Sequence, residues 1–161
     1  MIRHANVGDH PAIDEVLRGA FGRGDEAELT VRLRTAQDSL FELVAVEEGV
    51  VVGHILMSRL WADREGLYAA LAPLSVRPDR QRSGLGSALV RAGLDSARDF
   101  GCHGVLVLGD PAYYGRFGFS AEDARGVAGP FAGLPAFQAL ALEEFAFARP
   151  LTTAYPDAFE L

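Results

Sequence analysis

The run Gln-Arg-Ser-Gly-Leu-Gly-Ser, residues 81–87, places glycines and polar side chains between two segments with regular apolar patterns. Residues 69–76 before it are small and apolar and predict a strand, and apolar residues at helical spacing after it predict a helix. The run therefore begins a helix, where unpaired N–H groups and the positive end of the helix dipole attract anions. Because Gly84 and Gly86 lack a Cβ, an anion can approach the backbone closely. We expect a phosphate or pyrophosphate to bind here.

Two familiar phosphate-binding patterns differ from this run. A P-loop requires a lysine beside its last glycine, and all 15 basic residues of the chain are arginines, so that pattern is excluded. A dinucleotide fingerprint requires a third glycine where this chain has Leu89. It also requires an acidic residue about 20 positions further on, which is missing. A dinucleotide-binding protein stays open as the weaker alternative.

A third pattern fits better and resembles the acetyl-CoA loop of the GNAT superfamily of N-acetyltransferases. That loop has a glutamine or arginine, two residues, a glycine, any residue, and a glycine or alanine, and Gln81, Gly84 and Gly86 match it. A buried strand is predicted over residues 105–108, and the run Tyr-Tyr-Gly-Arg-Phe-Gly-Phe, residues 113–119, follows it. This run resembles the tyrosine, three residues, glycine, phenylalanine signature of the same family. Its residues are most similar to the bacterial YhbS-type subgroup.

The resemblance implies a GNAT-like α/β fold in a single domain over residues 1–161. Such a fold has a mixed, mostly antiparallel central sheet, helices on both faces, and splayed fourth and fifth strands. The cosubstrate implied is acetyl-CoA, with no metal, and the acceptor is a primary amine of a small molecule or peptide. The residues that match cofactor-binding positions of the family are Leu74, Ser75 and Val76 on the strand and Gln81, Arg82, Ser83, Gly84, Leu85, Gly86 and Ser87 in the loop.

The resemblance also gives a catalytic role to Tyr114, which stands four residues before Gly118. Its phenol would donate a proton or a hydrogen bond to the departing CoA sulfur. A phenol of pKa about 10 is a weak acid toward a thiol of pKa about 8.5, so hydrogen bonding is expected rather than complete proton transfer. Tyr113 is expected to pack.

The proton acceptor for the amine is not identified by the sequence. An alkylammonium of pKa about 10.4 must lose a proton before it attacks, and many relatives use a glutamate on the fifth strand, where this chain has none. Glu28 and His54 are candidates, against the alternatives of a surface carboxylate and a buried core histidine. Asp110 lies near a position where many relatives have a cofactor-contacting asparagine, but the loop here is shorter and its role stays open.

The remaining pattern predicts alternating strands and helices. Strands are expected over residues 2–5, 43–47, 50–58, 69–76, 105–108 and 137–143. Helices are expected over residues 9–21 with Asp9 as N-cap, over 25–36, from the glycine loop to about residue 100, and briefly from residue 112. The apolar face predicted for the third helix contains Leu85, Ala88, Leu89, Ala92, Ser96 and Phe100.

Composition excludes several classes of partner. The chain has a net charge of −7 and no basic cluster with interleaved aromatics, which argues against nucleic acid. No apolar run approaches the roughly 18 residues of a membrane span. The lone Cys102 and the absence of a signal region indicate the cytoplasm.

Two alternatives stay open. The phenylalanines at positions 131, 137, 145 and 147 are compatible with a pocket, a homodimer contact or the core. The function could also be that of a catalytically silent CoA-binding sensor or interaction module.

Overall fold

The computed structural model describes residues 1–161. Its strands are β1 (Ile2–His4), β2 (Ser39–Glu47), β3 (Val50–Ala62), β4 (Leu67–Val76), β5 (Cys102–Leu108), β6 (Val127–Ala128), β7 (Phe137–Ala141) and β8 (Leu151–Ala154). Its α-helices are α1 (His10–Phe21), α2 (Asp25–Thr35), α3 (Leu85–Phe100) and α4 (Pro111–Tyr114). No helix is long and apolar enough to span a bilayer.

The central sheet is mixed and mostly antiparallel. Hydrogen bonds join its strands in the order β1-β2-β3-β4-β5-β7, and β8 pairs with β3 and β6. The β1–β2, β2–β3 and β5–β7 pairs are antiparallel. Strands β4 and β5 run parallel, because α3 connects them as a crossover. The predicted fold class is confirmed.

Two compact units divide the chain. The first contains residues 1–58 and 72–95, and the second contains residues 59–71 and 96–161. Strands β3 and β4 and helix α3 contribute residues to both units. The single domain over residues 1–161 stays a prediction.

Helices cover both faces of the strands in the first unit. Val44 of β2 packs with α1 and α2 in an apolar cluster of Ile13, Val16, Leu17, Ala27, Val44 and Val51. His54 of β3 pairs with Val44, so the next residue, Ile55, faces the opposite side of the sheet. Helix α3 approaches that side closely, since a Cβ placed on Gly93 would lie 3.1 Å from Ile55 Cδ1.

The second unit contains the parallel pair of strands. The register of β4 with β5 covers Leu67–Ala70 and ends at Leu106, although β4 continues to Val76. This early end of the pairing agrees with the splayed fourth and fifth strands expected from the sequence. The core of this unit contains Leu60, Tyr68, Ala70, Leu106, Val127, Phe137, Ala139 and Leu151.

Several local predictions need correction. The predicted apolar face of α3 is rotated, because its buried residues are Leu89, Val90, Gly93, Leu94 and Ala97. Phe100 is 52% exposed. The carboxylate of Asp9 does not cap α1; it accepts from the N–H of Asn6 as the third residue of a capping box and binds Arg3. Strands β6 and β8 were not predicted, because two and four residues are too short to show a period.

Candidate active site

The loop after β4 leads directly into α3, as predicted. The first hydrogen bond of this helix runs from the N–H of Ala88 to the carbonyl of Gly84 over 3.0 Å. The helix therefore contains no carbonyl to which the backbone N–H groups of residues 85–87 could donate. Gly84 has a φ of +88°, and a Cβ placed on it would meet no atom within 4 Å. The backbone turn therefore requires glycine at position 84, and the missing side chain leaves open space beside the start of the helix.

Arg82 is the arginine of this loop without a partner in the protein. It is exposed and lies at a φ of +62°, a region that non-glycine residues uncommonly adopt. The nearby Arg77 and Arg80 are instead paired with Asp79 and Glu47 at 2.6 and 2.7 Å. The Arg82 guanidinium is therefore available to an anion, whereas its neighbours neutralise carboxylates.

Side chains tie the loop to the end of β4. The amide of Gln81 donates from Nε2 to the carbonyl of Val76 over 3.0 Å. The hydroxyl of Ser83 donates to the carbonyl of Arg80. These bonds fix where the loop starts, so Gln81 has an anchoring role that the sequence pattern alone did not show.

The end of β4 presents backbone donors away from β3. The N–H of Arg77 donates to the carbonyl of Val52 of β3 over 2.8 Å. Because N–H groups alternate in direction along a strand, the N–H of Val76 points away from β3. Leu74 and Val76 are half-buried, whereas Ser75 is 3% exposed and its Oγ has no hydrogen-bond partner. The predicted strand segment thus offers backbone groups rather than the Ser75 side chain.

Tyr114 is the last residue of α4, and its ring is half-buried among aromatic neighbours. The ring centroids of Tyr113 and Phe119 lie 5.0 and 5.7 Å away, both edge-to-face. Burial, with a smaller contribution from Tyr113, raises the pKa of Tyr114 to about 12. The phenol is therefore protonated at neutral pH and can donate a hydrogen bond. By contrast, the ring of Tyr113 packs under the guanidinium of Arg116 at 4.6 Å.

Asp110 caps the short helix that carries Tyr114. Its Oδ1 accepts from the N–H of Ala112 over 2.9 Å. Its carbonyl accepts from the N–H of Tyr113 and Tyr114 at 3.1 and 3.0 Å. Asp110, whose role the sequence leaves open, therefore organises α4 locally.

The two candidate bases lie in different surroundings. Glu28 is an exposed carboxylate of α2. His54 is completely buried, and its Nε2 lies 2.8 Å from Oε1 of Glu42, which also binds Arg34 through two hydrogen bonds of 2.7 and 2.8 Å. Burial lowers the pKa of His54. Burial raises the pKa of Glu42, but hydrogen bonds from His54 and Arg34 outweigh it and bring the value to about 2. The ring is thus neutral, donates from Nε2 to an ionised Glu42, and leaves Nδ1 without a partner.

Two residues beside Tyr114 were not found from the sequence. Gly109 lies directly against its ring, and the buried Gln138 of β7 donates to the carbonyl of Gly109 over 3.2 Å. In the sequence Gly109 resembles an ordinary strand end, and nothing in the pattern of β7 points to Gln138. Cys102 is buried, which raises the pKa of its thiol to about 11 and makes it a poor nucleophile. No three His, Cys, Asp or Glu side chains are grouped to hold a metal ion.

A glycine-initiated helix after β4 and a tyrosine after β5 are the two local features that the family resemblance predicts. The acetyltransferase (GNAT) family model matches residues 10–119. The chain belongs to this family.

Its relatives include bacterial proteins with bound cofactor. The chain is 42% identical over 113 residues to the uncharacterised N-acetyltransferase YhbS of Escherichia coli K12, covering 69% of this chain and 68% of YhbS. The crystal structure of E. coli YhbS in complex with CoA matches with a TM-score of 0.92 at 32% identity over 100% of this chain and 92% of that one. A GNAT acetyltransferase from Brucella melitensis in complex with acetyl-CoA matches with a TM-score of 0.83 at 34% identity, over 99% and 97% of the two chains.

The polar cluster of Arg34, Glu42 and His54 predicts a pH-dependent stability. Because the pKa of folded His54 lies below its ordinary value of 6.5, the unfolded chain binds the proton first, and the free energy of unfolding falls as pH drops through that value. Glu42 adds a second loss between its ordinary 4.5 and about 2. We expect His54→Gln, which can still donate to Glu42, to flatten the first decrease. Urea unfolding followed by Trp61 fluorescence measures this, and equal slopes in both proteins would contradict the neutral buried histidine.

Proposed function

We propose that this protein transfers the acetyl group of acetyl-CoA to a primary amine of a small molecule or peptide by direct attack on the thioester. The observation that carries the proposal is the start of α3, where the first helical hydrogen bond ends at the carbonyl of Gly84, an open glycine turn precedes the helix, and the exposed Arg82 lies in the same loop. The relatives crystallised with CoA and acetyl-CoA support the same cosubstrate.

The cofactor is proposed to use two segments of the chain. The backbone amides of residues 82–87 would bind the pyrophosphate, with Arg82 as a countercharge and Gln81 fixing the start of the loop. Leu74, Ser75 and Val76 would pair through their backbone with the amides of the pantetheine arm. The alternation of N–H directions supports this pairing, because Arg77 donates to β3 and the N–H of the preceding Val76 therefore points to the other edge.

In the proposed reaction the neutral amine attacks the thioester carbonyl and gives a tetrahedral oxyanion. The new C–N bond forms, the C–S bond breaks, and the proton lost by the amine is finally balanced by the CoA thiol. The N–H of Val76 would polarise the carbonyl. Tyr114 would donate a hydrogen bond to the leaving sulfur, and its pKa of about 12 favours this over proton transfer to a thiolate.

One observation favours a second candidate, a CoA-binding sensor without turnover. Strand β5 has no acidic residue that could accept the proton of the amine. The other two candidate bases are Glu28, which is an exposed surface carboxylate, and His54, which is buried and hydrogen-bonded to Glu42. Release of free thiol from acetyl-CoA in a panel of amines, polyamines, amino acids, aminoglycosides and peptides separates the two. Thiol release with at least one acceptor establishes the enzyme, and CoA binding without any release establishes the sensor. The lone buried Cys102 supports a cytoplasmic location for either.

The cofactor loop is tested by thermal stability. CoA at about 100 times its Kd stabilises a protein by about 2.7 kcal/mol, which for a chain of this size raises Tm by about 5 to 10 °C. Gly86→Asp is expected to remove this shift, because it adds volume and negative charge where the phosphates bind. The fold is expected to survive, since an acidic residue is favourable in the first turn of a helix.

Gly86→Asn is the matched control, because it adds the same volume without the charge. It is expected to keep part of the shift, and the difference between the two variants measures the electrostatic contribution. Wild-type protein without any CoA-dependent shift, or a full shift in Gly86→Asp, would contradict the proposed pyrophosphate site.

The nature of the ligand is tested with other nucleotides. The absence of lysine and the presence of Leu89 in place of a third glycine predict no comparable Tm shift with ATP or NAD at concentrations where acetyl-CoA acts. Thermal shift measured side by side decides the point, and an equal response to NAD would favour a dinucleotide-binding protein.

Tyr114→Phe tests the chemical step. Removal of the hydroxyl is expected to lower kcat by about 10- to 1,000-fold with little change in acetyl-CoA binding. Tyr113→Phe, which deletes the neighbouring hydroxyl at equal ring volume, is the control and is expected to have a small effect. Steady-state thiol release with an acceptor from the panel measures both, and wild-type kcat in Tyr114→Phe would remove this residue from the mechanism.

A further inference from the structure

The ring of Tyr114 lies directly on the backbone of Gly109. A Cβ atom placed on Gly109 would lie 2.5 Å from Cε2 and 2.9 Å from Cδ2 of Tyr114, far inside van der Waals contact. Gly109 is not among the residues with positive φ, so its backbone does not itself require glycine. The missing side chain at position 109 is therefore explained by the aromatic ring that occupies its place.

Both backbone polar groups of Gly109 are hydrogen-bonded to residues in or next to β7. Its N–H donates to the carbonyl of Ala136 over 3.0 Å. Its carbonyl accepts from Nε2 of Gln138 over 3.2 Å, and the same nitrogen donates to Ala136 over 3.3 Å. Gln138 is 1% exposed and pairs with Val107 of β5, so its carboxamide is fixed by the sheet. A buried side chain whose donors reach two loop carbonyls orders those carbonyls strongly.

The peptide that follows Gly109 continues this order to the tyrosine. Asp110 caps α4 at its first turn, and its carbonyl accepts from the backbone N–H of Tyr114 at 3.0 Å. The ring of Tyr114 therefore rests on the backbone of the same six-residue segment, 109–114, that carries it. The side chain of Gln138 attaches this segment to β7. By contrast, the Tyr114 hydroxyl takes no part in any hydrogen bond of the protein.

We propose that Gly109 and Gln138 are positioning residues of Tyr114, which hold its ring in one place so that the hydroxyl is presented to the leaving sulfur. The inference rests on the proposed acetyl transfer and adds the residues that aim its hydrogen-bond donor. Preorganised donors accelerate a reaction because no reorganisation is needed as charge develops. A ring free to move would lose part of this advantage while its hydroxyl remained present.

Gly109→Ala tests the proposal directly. The added methyl displaces the ring, so kcat is expected to fall by about 10- to 1,000-fold, as in Tyr114→Phe, with KM for acetyl-CoA changed by less than about 3-fold. Gln138→Met, which keeps the volume and removes the amide, is expected to lower kcat by about 3- to 10-fold. Gly115→Ala is the matched control, because its φ of −57° is helical and a Cβ there meets nothing within 4 Å.

The double variant Gly109→Ala/Tyr114→Phe separates positioning from general damage. If Gly109 acts through the hydroxyl, the double variant has the kcat of Tyr114→Phe alone. If Gly109→Ala lowers kcat by the same factor in both backgrounds, its effect is structural and the proposal is wrong. Wild-type kcat in Gly109→Ala would also overturn it.

A second measurement needs neither cofactor nor acceptor. The NMR resonances of the Tyr114 ring, assigned by their loss in Tyr114→Phe, are shifted in wild type by the neighbouring rings of Tyr113 and Phe119. Gly109→Ala is expected to move them and Gly115→Ala to leave them unchanged. Unmoved resonances in Gly109→Ala would refute the contact even in an active enzyme. Moved resonances in a protein whose wild type neither binds CoA nor releases thiol would place the failure in the proposed function instead.

Discussion

Strand β4 lies between β3 and β5 but loses its pairing with β5 before its end, and the proposed site depends on this loss. It pairs with β5 only as far as Ala70, whereas the N–H of Arg77, just after its last residue, still donates to Val52 of β3. Near its end the donors that alternate away from β3 no longer meet the register of β5. Backbone polar groups need partners, so an extended ligand with amides of its own suits this edge. A strand fully paired along both edges would have no such donors to offer.

Features that arise from neighbouring residues could be predicted from the sequence. The start of α3 follows from the glycines at 84 and 86 and from the apolar period after them, and both appear within one short window. The succession of a strand, a helix and a strand was also visible in the sequence, and the structure pairs these two strands, β4 and β5, in parallel. The site residues matched by family resemblance lie in these same windows, so the order of residues along the chain was sufficient to propose them.

Features that arise from distant residues could not be predicted. The partner of His54 is Glu42, a diagonal neighbour that the register of β2 with β3 brings within reach, and no spacing in the sequence states that register. The rotation of the buried face of α3 depends on where Gly93 meets Ile55. Gly109 resembles an ordinary strand end in the sequence, and only its contact with the ring of Tyr114 distinguishes it. In each case a tertiary contact decides, and local pattern contains no information about it.

The chain contains 15 arginines and no lysine, so it presents no side-chain amine that acetyl-CoA could acetylate. A guanidinium stays protonated at any pH at which the protein is folded, so it is not a nucleophile toward a thioester. An acetyltransferase rich in lysine presents many side-chain amines to its own acetyl-CoA and modifies itself slowly as it works. Here no side chain of residues 1–161 can be N-acetylated in that way. No side-chain charge of the protein can therefore be lost to amine acetylation, and any acetyl group that an assay detects on a side-chain amine belongs to the added acceptor.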